Sequence, residues 1–255
     1  MIPTDGKGQS WSGIVLASLL IFAQVEASLA QSDIPVLEPE YWTIKVFKIF
    51  RHDDTPRGPI FTQIVDDLQS PIGAGTVVSR SQFIEILNRL AGEQVYVNEL
   101  LRYARPKSKE KQNAVHEDYT HIFMKPERIA AGKDFWMKHL SLLEEAQRRF
   151  GILPEDLISL LMWESGLGEF TGDYQLVKIY LGQLMYLDIA ASYFKSINSD
   201  ATPKDPVRFE KIKNRAAKNL VSVLREAEDN GIDPLSLKGS WGGAIGYPQF
   251  LPMNL

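Results

Sequence analysis

The chain contains no cysteine in 255 residues. That excludes disulfides, thiolate catalysis and cysteine-held metals. Histidine is scarce: His52, His116, His121 and His139 are scattered, without paired metal-ligand spacing. A large excess of charge of one sign is also missing. The formal net charge is −4, which gives no reason to expect nucleic acid. No glycine-rich phosphate loop occurs. Asp53-Asp54 lacks the spaced carboxylates and closing Glu of a calcium loop. No apolar run reaches the roughly 20 residues of a comfortable membrane span. What remains is ordinary globular composition, 44% apolar and 24% charged, on a chain long enough for one large domain or two small ones.

The longest apolar run, residues 11–22 (WSGIVLASLLIF), follows Lys7 and precedes a stretch with small residues at Ser28 and Ala30. Basic start, apolar middle and small-residue cut site in that order read as a signal peptide over residues 1–30. The mature chain is then expected to begin at Gln31, outside the cytoplasm and without a membrane span. An uncleaved anchor is the second reading. A lipoprotein signal would need a cysteine.

Residues 31–118 read as a smaller, partly irregular accessory region. Residues 42–50 (WTIKVFKIF) are β-branched and aromatic, and their period fits a strand or a helical turn. Residues 51–59 are a loop by composition, and 70–75 are a break. After Ser79, helical spacing of Phe83, Ile84, Leu87 and Leu90 predicts a helix that Gly92 ends. Residues 95–104 predict a second short helix. Residues 105–118 are charged and read as a solvated loop.

From residue 119 to 255 the pattern is mainly α. Trp136, Leu140, Leu143 and Phe150 form one stripe, punctuated by Gly132 and Gly151. Residues 174–197 are apolar nearly all round, the mark of a buried helix. Lys178, Gln183 and Asp188 argue against a membrane span there. Residues 198–206 are turn-rich. Phe209, Ile212, Ala216, Leu220, Val223 and Ala227 trace another stripe, and Asn230-Gly231 stops that helix.

Two stretches carry chemistry. Residues 154–168 (PEDLISLLMWESGLG) predict a helix with Pro154 at its first position and acidic residues at its positive end. Leu157, Leu160, Leu161 and Glu164 share one face. A carboxylate at the end of such a stripe is expected to be poorly solvated, which raises its pKa toward that of a general acid at neutral pH. The competing reading is a surface Glu at an ordinary helix end. Residues 239–252 (GSWGGAIGYPQFLP) fit no helix or strand period. Their glycines, aromatics and single Gln suit a sugar, whose C–H faces meet aromatic rings. A tight interhelical turn or a loose tail is the plain alternative.

These stretches, with residues 126–139 (PERIAAGKDFWMKH), resemble the B-type lytic murein transglycosylases, glycoside hydrolase family 103. The resemblance covers most of residues 119–168 and 233–255. It implies a lysozyme-like helical domain and periplasmic cleavage of peptidoglycan between N-acetylmuramic acid and N-acetylglucosamine. The product implied is a 1,6-anhydromuramic acid end. By the same resemblance Glu164 matches the catalytic acid/base, and Ser240 a Ser beside it. Gln249 matches a sugar-contacting Gln, with Gly246 and Tyr247 shaping its loop. Ser165 follows Glu164 in the motif, and Tyr119 matches a groove aromatic. No metal and no organic cofactor are implied, and the partner is the glycan strand.

The chain ends just after the QFLP of this loop, whereas family members continue. A C-terminally shortened groove and exposed apolar surface on the core helices are therefore expected. The stretch between Glu164 and Ser240 is longer than in typical members, with extra residues expected near 198–206. Two further readings stand beside the transglycosylase. One is a vestigial, non-catalytic peptidoglycan-binding protein. The other is a muramidase, which would need a second carboxylate from Glu169 or Asp173.

Overall fold

The computed structural model describes residues 42–71, 76–104, 124–197 and 206–255. The expected signal peptide, Tyr119, the 105–118 loop and the 198–205 turn lie outside the described residues. All described elements belong to one compact unit.

The described fold is mainly α, as the periodicities predict. Residues 42–50 resolve neither as a strand nor as a full helix. Thr43 bridges Gln94, a four-residue helix α1 (Val46–Ile49) follows, and Phe50 bridges Pro56. The apolar side chains Trp42, Ile44, Ile49 and Phe50 are buried. Helix α2 (Pro59–Gln69) starts on a proline. Helix α3 (Arg80–Arg89) starts on a complete capping box: Ser79 Oγ accepts from the Gln82 N–H and the Gln82 side chain accepts from the Ser79 N–H. Helix α4 (Val97–Ala104) begins two residues later than the pattern suggested.

Next come α5 (Pro126–Lys138), α6 (Leu140–Phe150) and α7 (Pro154–Ser165), packed on one another. The single stripe expected over 136–150 divides here. His139 adopts φ −117° and ψ 22°, which breaks the run into two helices. Only Leu143 of that stripe is fully buried, while Phe150 is 66% exposed. Gly132 does not punctuate anything. It lies inside α5, where a Cβ would sit 3.5 Å from Ile158 Cγ2, an ordinary contact distance, so it marks where α5 faces α7.

A two-residue strand β1 (Tyr174–Gln175) pairs antiparallel with β2 (Lys238–Gly239), in register Tyr174↔Gly239 and Gln175↔Lys238. Between them run α8 (Leu176–Ile197) and α9 (Pro206–Asp229), the centre of the core. Helix α4 packs on α8, and α2 packs on α9. All six stripe residues of α9, from Phe209 to Ala227, are buried. Its Arg225 guanidinium also donates to the carbonyls of Asp67 and Ser70, capping the end of α2. The short 3-10 turn Pro252–Asn254 docks on α9, where the Met253 N–H donates to buried Asn219 Oδ1 at 3.0 Å.

Candidate active site

Helix α7 forms as its sequence dictates. Pro154 occupies the first turn, where its missing N–H costs nothing, and Glu155 and Asp156 face the positive helix end. Gly166 ends it at φ 61°, the left-handed conformation that glycine adopts without a Cβ penalty. The Gly166 and Leu167 N–H groups donate to the Met162 and Leu161 carbonyls, closing the turn. Glu164 therefore stands in the last turn of α7.

The face assignment differs from the sequence expectation. The buried residues of α7 are Pro154, Ile158 and Ser165. Leu160 is 47% exposed, and Glu164 itself is exposed. Residues spaced at helical period share a face, but the spacing does not say which face turns inward. Here α5 packs on the Ile158 side. Glu164 is left open to water, and among the described residues none makes a hydrogen bond or ion pair to its carboxylate.

Glu164 lines a cleft of about 570 Å³ with Glu127, Arg128, Trp163, Glu169 and Phe170. A mostly apolar groove of about 420 Å³ adjoins it between α5 and α7, sharing Arg128, Met162 and Trp163 and adding Met124, Ile129 and Trp136. Glu127 and Arg128 belong to the PERI segment, quoted above for its resemblance but given no role. Only the packing of α5 against α7 shows that they face the same cleft as Glu164. Among the described residues no group of three or more His, Asp or Glu side chains is placed to hold a metal ion.

The 239–252 loop is latched onto the turn that follows Glu164. A Cβ on Gly168 would lie 2.2 Å from the Tyr247 ring, so that ring rests directly on the glycine. A Cβ on Gly172 would lie 2.1 Å from the backbone of Gly239. Gln249 Nε2 donates to Thr171 O at 3.3 Å and to Gly246 O at 2.8 Å. Gln249 takes φ 51°, a left-handed conformation uncommon outside glycine, at the residue expected to meet sugar. Ile245 bridges Phe250 to close the loop. Gly246 and Tyr247 are exposed at its tip.

The two serines have different situations. Ser165 is buried, its Oγ accepting from the Gly168 N–H at 3.0 Å and donating to Leu161 O at 3.3 Å. Its hydroxyl is committed to shaping the turn. Ser240 is half-buried, and its Oγ accepts from the Ala244 N–H at 3.0 Å, which leaves its own hydrogen to donate. Thus the structure rests Tyr247 on Gly168 of the WESGLG turn and bonds Gln249 to Thr171 three residues further on, whereas the hydrogen bond that Ser240 Oγ makes is within its own loop. Asp173 is exposed, three residues before the start of α8.

The described fold is thus a mainly helical domain with Glu164 in the last turn of one helix and a glycine-rich loop latched to the turn beyond it. Residues 61–255 match the family described as Transglycosylase SLT domain, and the chain belongs to that family. It is 26% identical over 136 residues to membrane-bound lytic murein transglycosylase B of Escherichia coli strain K12, covering 53% of this chain and 32% of that one. Among solved structures it resembles the Escherichia coli lytic transglycosylase Slt35, with TM-score 0.53 and 22% identity over 85% of this chain and 56% of the other. The soluble lytic transglycosylase SltB1 of Pseudomonas aeruginosa aligns with TM-score 0.52 and 25% identity, over 74% of this chain and 54% of that one. The chain thus spans about a third of the curated relative and just over half of the solved ones.

Proposed function

We propose that the chain is a peptidoglycan lytic transglycosylase that cleaves the β-1,4 bond between N-acetylmuramic acid and N-acetylglucosamine, with Glu164 as the sole acid/base. The observation that supports this most is the placement of Glu164 in an open cleft, at the end of α7, with the 239–252 loop fastened to the very next turn. Ordinary glycosidases use two carboxylates about 5–9.5 Å apart. One suffices when the substrate supplies the second group.

Glu164 protonates the glycosidic oxygen, and the N-acetyl oxygen of the muramic acid stabilises positive charge at C1. The Glu164 carboxylate then takes the proton from the C6 hydroxyl as that oxygen bonds to C1. The anhydro ring closes, no water is consumed, and Glu164 ends protonated as it began. A bound glycan excludes water from the exposed carboxylate and so desolvates it. Ser240 donates toward Glu164. Gln249 and Tyr247 meet the sugar, with Gly246 letting the loop turn, and Ser165 builds the turn beneath them. Tyr119, outside the described residues, adds a groove aromatic. The glycan strand is the partner, no metal or organic cofactor enters these steps, and the signal-like residues 1–30 direct the chain to the periplasm. No helix among the described residues is long and apolar enough to cross a membrane.

A second reading is carried by the cleft itself. Glu127 and Glu169 line it with Glu164, so a two-carboxylate muramidase has candidates for its second group. Mass spectrometry of digested sacculi separates the two. Anhydromuropeptides are expected. Reducing-end products would replace the proposal with the muramidase, and binding without product would favour a vestigial binding protein.

A further inference from the structure

The Ser240 hydroxyl sits in a small closed turn. The Ser240 N–H donates to Ala244 O at 2.7 Å and the Gly243 N–H to Ser240 O at 2.9 Å, while the Ala244 N–H reaches Ser240 Oγ. This turn is short and rich in glycine, so it does not fix its own orientation. Two phenols from distant helices hold it from behind. Tyr103 of α4 donates its hydroxyl to Gly242 O at 3.3 Å, and Tyr180 of α8 donates to Gly243 O at 2.6 Å. Tyr180 is 1% exposed. A Cβ on Gly243 would stand 2.5 Å from the Tyr180 hydroxyl, so glycine is required there for the phenol to reach the backbone.

Neighbouring contacts work on the same loop. The Tyr103 ring packs on Trp241 at 5.3 Å between centroids, and the Arg102 guanidinium lies 5.5 Å over the same indole. Tyr174, paired with Gly239 across the strand ladder, donates its hydroxyl to buried Glu99 at 2.9 Å. Residues 239 and 241–243 are thus each held from α4, α8 or β1. Core filling alone would need only the rings. The two buried hydroxyls instead reach successive carbonyls of the loop. Burial also pushes both phenols above the ordinary tyrosine range, so they stay protonated donors throughout the physiological range.

We propose that Tyr103 and Tyr180 are positioning residues, whose hydroxyls fix the 240–244 turn and thereby the place of the Ser240 hydroxyl before glycan arrives. Helix α4, from the region read as accessory, is then part of the scaffold of the site. The catalytic half of this inference rests on the proposed function, and the loop-holding half does not.

The test uses the full chain with Tyr103→Phe, Tyr180→Phe, the double variant, and Tyr186→Phe as control. Tyr186 is equally buried but donates to Thr43 O, away from the loop. Hydrogen exchange at the Gly243 and Ala244 amides and turnover of solubilised, uncrosslinked glycan strands are measured together. The double variant is expected to exchange those amides about 10-fold faster and to lose about 10-fold or more in kcat with little change in KM, the scale on which misplacement acts. Tyr186→Phe is expected to leave both at wild-type values. Unchanged exchange in the double variant, equal loosening in Tyr186→Phe, or an unchanged kcat with a loosened turn would overturn the positioning role. If the wild type turns over no glycan, the proposed function falls, and the exchange data still decide whether the phenols hold the turn.

Discussion

Helices α8 and α9 and helices α5 to α7 are both rich in apolar residues, yet they use them in opposite ways. In α9 every residue of the stripe is buried, and α8 buries residues on nearly all sides. Helix α5 buries none fully, α6 only Leu143, and α7 only Pro154, Ile158 and Ser165. Met137 is 74%, Leu142 65% and Phe170 68% exposed on or beside these helices. These exposed side chains contrast with the fully buried stripe of α9. The candidate acid Glu164 belongs to this loosely packed set. The loop proposed to hold the sugar is braced by the tightly packed set, through Tyr180 and Tyr103. One region supplies rigidity and the other supplies access.

The contrast can be broken by substitution. The largest effect is expected in the buried pair of helices. Leu220→Ala in α9, at a site with no exposure, is expected to cost about 2–5 kcal/mol by urea unfolding. Leu142→Ala in α6 is expected to stay within about 0.5 kcal/mol. Equal costs would mean that the two regions do not differ as described.

Next come two glycines at the junction. Gly172→Ala forces a Cβ into the Gly239 backbone, which cannot step aside, and an expected loss of about 2 kcal/mol or more follows. Gly168→Ala meets the Tyr247 ring, which can swing away, so about 1 kcal/mol is expected from the left-handed backbone at φ 94°. Intrinsic fluorescence and unfolding midpoints for the two variants check this order.

Alkaline pH should loosen the rigid region selectively. Burial raises the pKa of Tyr180, Tyr103 and Tyr186 in the folded chain, with Arg215 and Arg208 opposing it at Tyr103. The folded values lie above the unfolded value of about 10. Stability from keeping these phenols neutral is therefore full below about pH 10 and is lost as pH rises beyond it. Unfolding midpoints are expected to stay level up to about pH 10 and then fall, and Tyr180→Phe to fall less steeply. The smallest stability effect belongs to Glu164→Gln. The side chain is exposed and has no described partner, so a change under about 0.5 kcal/mol is expected.

Much of this arrangement was legible in the residues. The α9 stripe, the all-round burial of α8 and Pro154 at the first position of α7 each follow from a local rule, and each formed. The WESGLG and GSWGGAIGYPQFLP stretches pointed to a site through resemblance, and the structure places their turns in contact. Other features had no local signal. Nothing at His139 announces a break, because neither proline nor glycine stands there. The inward face of α7 was set by α5, so Leu160 and Glu164 turned outward. Glu127 and Arg128 reach the cleft only through helix packing. Tyr103 and Tyr180 serve a loop that follows them by 139 and 63 residues, a relation that no period or motif encodes.

The most direct measurement is digestion of peptidoglycan strands in heavy-oxygen water by the wild type and by Glu164→Gln, with mass spectrometry of the new ends. The expected result is unlabelled 1,6-anhydromuramic ends from the wild type and no new ends from Glu164→Gln, whose unfolding midpoint stays unchanged. Labelled reducing ends from the wild type, or anhydro ends still formed by Glu164→Gln at a comparable rate, would contradict a single-carboxylate transglycosylase centred on Glu164.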